Sequence, residues 1–257
     1  NQTALSDYAN AIGPETGLIL KVHQSNFHLS GFAGSPPNDE LARLARSRKI
    51  PFAEDLGSGA VFATEKLGLA EHEPTLDEIL KAGADLVSFS GDKLFGGPQA
   101  GIIAGKARFV AALKREPIFR ALRCDKLAMA ALDATVDAHL RREDVPLLSL
   151  LRLPAEELRA RGERVIASLR TAPIEVRLVK CEAEIGGGTL PRSRIASLAL
   201  EVSSFVAPNE LAARLRHGNP AIIGYIAGGR FKLDLRTIFP EQDDLVVAAL
   251  TKCLATN

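Results

Sequence analysis

Lys93 stands in Ser88-Phe89-Ser90-Gly91-Asp92-Lys93-Leu94-Phe95-Gly96-Gly97-Pro98-Gln99-Ala100-Gly101, where an apolar, strand-like run gives way to a glycine-rich loop. Small residues let a ligand approach the backbone closely. A lysine at the end of a sheet strand points into the crevice where α/β proteins bind ligands. Burial there favours the neutral amine, the form that attacks a carbonyl. Taken alone, the segment also reads as a surface turn with a solvated lysine, a common role for such a loop.

Asp55, in Ala53-Glu54-Asp55-Leu56-Gly57-Ser58-Gly59, closes an earlier strand and is likewise followed by glycines. Pyridoxal phosphate chemistry needs a carboxylate against the pyridine nitrogen, so that the ring can draw electrons from a substrate's α-carbon. An acidic residue on one strand end and a lysine on a later one is the arrangement this requires. An Asp that caps the following turn is the plainer reading of Asp55 alone. Arg120 and Arg123, three apart, share a helical face or a turn and could clamp a carboxylate or a phosphate-like anion. Lys114, Arg115 and Lys126 make the same stretch basic, and a solvated helix face fits it equally well. His23 follows a strand and precedes Gln24-Ser25-Asn26; it reads as a cofactor-wall residue or as a structural histidine.

These residues need strands and helices to position them. Leu18–Val22, Ile50–Ala53 (running on to Glu54-Asp55), Asp85–Ser90 and Ala100–Ala104 read as strands. Between them, Asn38 and Asp39 could cap a helix reaching Arg48, and Thr75-Leu76-Asp77-Glu78 has the pattern of a capping box. Alternating helix and strand implies a parallel sheet covered by helices. Helical stretches over Lys106–Arg115 and Asp125–Leu140 follow. The segment Arg141–Pro154, rich in charge, leucine and proline, is the expected domain boundary, giving domains of residues 1–145 and 146–257. Beyond it, a helix over Ala155–Leu169 precedes strands at Ile174–Val179, Ile195–Val202, Ala221–Ile226 and Phe231–Leu235. Helices near Pro208–Arg216 and Glu241–Leu254 complete a small α/β domain, with helices on one face of a mostly antiparallel sheet.

Composition narrows the function further. Of 257 residues, 46% are hydrophobic and 25% charged, the balance of a globular domain. No apolar run is long enough to span a bilayer and no signal peptide is visible, so the cytoplasm is the default compartment and no membrane partner is expected. Cys124, Cys181 and Cys253 are far apart, and the five histidines lack ligand spacing, so neither a zinc site nor a disulfide framework is expected. A net charge of +1 argues against nucleic-acid binding over the whole surface. The chain opens on Asn1 and has a single methionine, Met129, which reads as a fragment or a processed chain.

Together, His23-Gln24-Ser25-Asn26-Phe27, Glu54-Asp55-Leu56-Gly57-Ser58-Gly59, Phe89-Ser90-Gly91-Asp92-Lys93-Leu94 and Gly96-Gly97-Pro98-Gln99-Ala100-Gly101 resemble bacterial selenocysteine synthase, L-seryl-tRNA(Sec) selenium transferase. Ala121–Leu127, Gly186-Gly187-Gly188-Thr189-Leu190-Pro191 and Asp234-Leu235-Arg236-Thr237 extend the likeness nearly end to end. Related families tend to carry glycine where this chain has Asp92. The resemblance implies a fold-type-I pyridoxal phosphate enzyme, aspartate-aminotransferase-like: the mostly parallel sheet of an N-terminally truncated large domain, plus a small C-terminal α/β domain. By the same resemblance Lys93 is the Schiff-base lysine, Asp55 faces the pyridine nitrogen, Ser90 touches the cofactor phosphate, and Arg120 and Arg123 bind the selenium donor. The implied reaction is a β-replacement on seryl-tRNA(Sec) through an aminoacryloyl-tRNA intermediate, with selenophosphate as donor, in a homo-oligomer. The family's tRNA-engaging N-terminal domain and the first half of its cofactor domain have no counterpart here. Two other readings stay open: a related lyase or transferase acting on a small amino acid or amino-sugar phosphate, and an inactive truncated module.

Overall fold

The computed structural model describes residues 2–24, 31–69, 71–185 and 189–255. The chain forms two compact units, one of residues 1–147 with 185–193, the other of residues 148–184 with 194–257.

In the first unit, β1 (Ile19–Val22), β2 (Phe52–Gly57), β3 (Leu86–Ser90) and β4 (Gly101–Gly105) form one sheet in that order. Helices α1 (Leu5–Ala11), α2 (Asn38–Arg48) and α3 (Leu76–Lys81) lie between or before the first three strands. β1, β2 and β3 pair in parallel, as the alternation of helix and strand implies. β4 departs from that pattern and runs antiparallel to β3. The reason is length: only residues 91–100 join the two strands, and a parallel return needs a crossover of about a dozen residues or more. Period-two alternation sends Ile19, Phe52, Leu56 and Val87 into a core closed by Leu41, Ala42 and Ala45 of α2 and Ile79 of α3.

Two helix starts separate expectation from outcome. Thr75 caps α3 as expected: its hydroxyl accepts from the Glu78 N–H at 3.3 Å, while Glu78 Oε2 accepts from the Thr75 N–H at 2.8 Å. Asn38, expected as a cap, is already inside α2, behind Pro37 at the N-cap position, and no side chain caps that end. The Asn38 amide is drawn instead to Glu54 on the neighbouring strand.

After β4 come α4 (Ala107–Leu113), the short α5 (Pro117–Ala121), α6 (Lys126–Arg141) and α7 (Pro146–Arg152). The second unit holds α8 (Ala155–Ser168), β5 (Glu175–Glu184), β6 (Arg194–Ser203), α9 (Pro208–Arg216), β7 (Tyr225–Ala227), β8 (Arg230–Asp234) and α10 (Asp243–Ala255). Its sheet has the order β5-β6-β8-β7 and is antiparallel throughout. Leu200, Val202, Phe231 and Leu233 from one face pack with Leu158, Leu211, Leu215 and Leu250 of the helices. No helix among the described residues is long and apolar enough to cross a membrane.

Candidate active site

Strand β2 carries two consecutive carboxylates, and alternation sends them to opposite faces of the sheet. Asp55 is half-buried and pairs in register with Val22 of β1 and Ser88 of β3. Ser88 Oγ donates to Asp55 Oδ1 at 2.9 Å, which fixes the carboxylate on its face. Ser90, two residues beyond Ser88, lies on the same side. The His23 N–H donates to the Asp55 carbonyl at 2.8 Å, carrying the ladder one residue past β1. Ser25, Asn26 and Phe27, which continue the quoted motif, lie outside the described residues, as do Gly186, Gly187 and Gly188.

The loops that follow β2 and β3 meet backbone to backbone. A Cβ at Gly59 would sit 2.7 Å from the Ser90 carbonyl oxygen, and, within the loop after β3, one at Gly91 would sit 2.6 Å from that of Pro98. Only glycine allows this approach, and Gly59 also adopts φ +71°. The Leu94 N–H donates to the Ser58 carbonyl at 3.0 Å and ties the two loops together. Lys93 therefore sits in a turn whose neighbours are fixed: Leu94 and Phe95 are buried, and the Phe95 carbonyl lies 2.8 Å from His139 Nε2 of α6. Lys93 itself is half-buried, and its amine makes no hydrogen bond or ion pair among the described residues. The fully buried Ser58 hydroxyl likewise has no partner among them.

Asp55, Ser90 and Lys93 are thus brought to one end of the sheet by two loops and one strand ladder, whereas His23 joins Asp55 through its backbone only and turns its ring to the other face, beside Glu73. Arg120 and Arg123 are placed differently. Arg120 lies in α5 and Arg123 just beyond it; both are exposed, and no carboxylate pairs with either among the described residues.

The opposite face holds groups that sequence reasoning missed. Glu54 is buried, its Oε2 accepts from Asn38 Nδ2, and Lys21 Nζ donates to Asn38 Oδ1 at 2.7 Å and to the Pro36 carbonyl at 3.2 Å. Burial pushes the Glu54 carboxyl up, against the opposing pull of Lys21, the Asn38 hydrogen bond and His23. Glu73 is buried as well, with Oε1 at 3.2 Å from His23 Nε2. Lys21, a charge inside an otherwise apolar strand, is the one signal in the sequence that pointed to this side.

The family model for L-seryl-tRNA selenium transferase matches residues 1–239. The chain belongs to the L-seryl-tRNA selenium transferase family. It is 41% identical, over 99% of its own length and 56% of the relative's, to the L-seryl-tRNA(Sec) selenium transferase of Carboxydothermus hydrogenoformans. To the protein of the same name from Hyphomonas neptunium it is 44% identical, over 93% of this chain and 52% of that one. The chain thus spans about half the length of the curated relatives it matches. In fold it is similar to D-glucosaminate-6-phosphate ammonia-lyase, with a TM-score of 0.58 at 22% identity, covering 99% of this chain and 62% of that structure. The glycine-bounded loops around Lys93 and the Asp55 ladder are accordingly features of a selenium transferase family member.

Proposed function

We propose that this chain supplies the lysine-bearing part of a pyridoxal phosphate-dependent L-seryl-tRNA(Sec) selenium transferase, working in the cytoplasm as a homo-oligomer with selenophosphate as donor. On this reading residues 1–145 belong to the cofactor domain and residues 146–257 form the smaller C-terminal one. The observation that carries the reading is the position of Lys93: an unpaired amine in a turn hydrogen-bonded to the loop that leaves Asp55. Family membership at about 40% identity supports it.

The residues present fit pyridoxal phosphate. Gly59 and Gly91 let the backbone close tightly around the ends of β2 and β3, which brings an amine, a carboxylate and a hydroxyl to one end of the sheet. When bound, that group supplies an electron-withdrawing ring that stabilises negative charge at the substrate's α-carbon. Lys93 would hold the cofactor's carbonyl carbon and, once released by the substrate's amine, move the α-proton. Asp55, steadied by Ser88, would keep a proton on the ring nitrogen. Ser90 would donate to the phosphate, and His23 would serve the site through its backbone bond to Asp55, with its ring on the other face. Arg120 and Arg123 would hold the selenophosphate anion, which their exposure and lack of carboxylate partners leaves them ready to do. Water would then leave from the serine β-carbon, selenium of selenophosphate would bond there, and water would cleave the Se–P bond and release phosphate.

The test is an absorbance spectrum of the purified chain with added pyridoxal phosphate. The expected result is a band of lysine-bound cofactor that Lys93→Ala abolishes. A spectrum without that band, or a band that survives the substitution, overturns the assignment.

A further inference from the structure

Residues 106–126, which follow β4 and include α4 and α5, hold seven lysines and arginines against two acids. The whole chain has a net charge of +1, so this excess of five cations leaves the remainder at −4. Two of the seven are engaged: Lys106 pairs with Asp85 at 2.6 Å, and the Arg108 guanidinium lies 4.5 Å over the Phe109 ring. Lys114, Arg115, Arg120, Arg123 and Lys126 are exposed and make no ion pair among the described residues. Of the two acids, Asp125 is occupied at the start of α6, where it accepts from the Ala128 N–H at 2.9 Å. Five like charges so close in the chain repel one another, and a polyanion relieves that repulsion.

Charge alone would suit any anion, and the apolar side chains among the cations narrow the choice. Neither α4 nor α5 buries a residue. Phe119 is 45% exposed, and Ile118 and Leu122 more so. Phe119 adjoins Arg120 in the chain and stands four residues from both Arg115 and Arg123. An aromatic face set among unpaired cations suits a single-stranded nucleic acid, whose bases stack on the ring while its phosphates meet the charges. A duplex keeps its bases stacked on one another and has no use for the ring. The patch is also tied to the Lys93 loop through α6. A Cβ at Gly91 would sit 3.4 Å from Leu132 Cδ2, one at Gly97 would sit 3.1 Å from Thr135 Oγ1, and His139 Nε2 meets the Phe95 carbonyl. From Lys126 to Leu132 is about 9 Å of helix.

We infer that α5 and the turns on either side of it form a docking surface for an unpaired RNA strand, with Phe119 stacking a base and Lys114, Arg115 and Lys126 meeting phosphates. That this strand is the 3′ end carrying the serine rests on the function proposed above; the RNA surface itself does not. The test is fluorescence anisotropy of the full chain with a labelled single-stranded RNA of about eight nucleotides ending in CCA, at several salt concentrations. Replacing Lys114, Arg115 and Lys126 together by alanine is expected to weaken binding at least about tenfold. It should also flatten the plot of log affinity against log salt by about 2, since each phosphate contact to a single strand contributes about 0.7. Phe119→Ala is expected to weaken binding at least about fivefold with the salt slope unchanged, because it removes a stacking face and no charge. Lys81→Ala, which removes an exposed cation on α3, is expected to stay within about twofold of wild type. A duplex of the same length bound as tightly as the single strand, or a Phe119→Ala variant that binds like wild type, overturns the inference. So does a self-association of the chain that Phe119→Ala abolishes while RNA affinity stays as it was, since the surface then belongs to a second copy. The Lys93-dependent band is expected in all of these variants. Absence of the band in wild type defeats the cofactor reading, and the RNA titration then decides this surface by itself.

Discussion

Two pairs of arginines, one in each unit, are used in opposite ways. In the second, Arg161 on α8 is 1% exposed and forms a bidentate pair with Asp243 at the start of α10, through Nε at 3.0 Å and Nη2 at 2.7 Å. Its remaining reach goes to the carbonyls of Leu235 and Ile238. Arg236, also buried, donates to the carbonyls of Leu150 and Leu151 in the last turn of α7 and to that of Ala196 on β6. Both side chains end on carbonyls that helices and strands would otherwise leave bare. In the first unit, Arg120 and Arg123 are exposed and pair with no carboxylate among the described residues. An arginine surrounded by acceptors is committed to the fold. One that pairs with none of them remains available to an anion from outside, even with Glu116 and Asp125 close by in the chain.

The comparison is most exposed to failure at Arg161. Arg161→Met keeps the aliphatic packing but leaves Asp243, itself largely buried, without its counter-charge. Breaking one partner of a buried pair costs about 3–5 kcal/mol, so urea denaturation of the second unit is expected to shift by that order. Pairing the change with Asp243→Leu should recover most of the loss, because an apolar replacement of both partners removes the stranded charge. If Arg161→Met leaves the midpoint where it was, the distinction between committed and available arginines collapses.

A smaller effect sits on the same sheet. Tyr225 on β7 pairs with Lys232 of β8 and lies beside Cys181 and Asp234; burial first, then Cys181 and Asp234, push its phenol up to about 12 from 10.0. The folded chain therefore holds this proton more tightly than the unfolded chain. The contribution to stability is fully present below pH 10 and is lost as pH rises through about 12. In that window the wild type is expected to lose stability more steeply than Tyr225→Phe. The magnitude is modest, since Tyr225 is 39% exposed and solvent screens its neighbours. Parallel curves for the two proteins would remove Tyr225 from the polar groups that serve the fold.

Much of this arrangement is legible in the residues, and the unread parts share a cause. The apolar runs ending at Val22, Asp55 and Ser90 mark three strand ends, and glycines after two of them mark close approach without revealing what approaches. That Gly59 meets Ser90 and Gly91 meets Pro98 follows only from the folded loops. The antiparallel turn of β4 could have been drawn from the ten residues of its connection. α5 escapes because five residues hold too little periodicity to register, and its apolar Ile118 and Phe119 are exposed. Glu73 escapes for a different reason. Its partner lies fifty positions earlier, and nothing local in Glu71-His72-Glu73-Pro74 distinguishes the one acid that is buried.

The smallest expected effect on stability belongs to Arg120 and Arg123, and it sharpens the comparison most. Neither side chain supports a helix end, a carbonyl or a counter-charge among the described residues, so Arg120→Ala and Arg123→Ala should each change unfolding free energy by no more than about 0.5 kcal/mol. If these arginines are kept clear for an anion, the same substitutions should still weaken binding of inorganic phosphate or thiosulfate, used as stand-ins for the donor, and a lysine at either position should recover it only in part. A lysine restores the charge but not the planar fork that grips two oxygens at once. Titration of the anion against wild type and the four single variants separates the cases. Unchanged stability with weakened binding is what an available arginine predicts. A loss of stability as large as that of Arg161→Met would show that α5 depends on contacts made by these side chains, and would place them with the arginines committed to the fold.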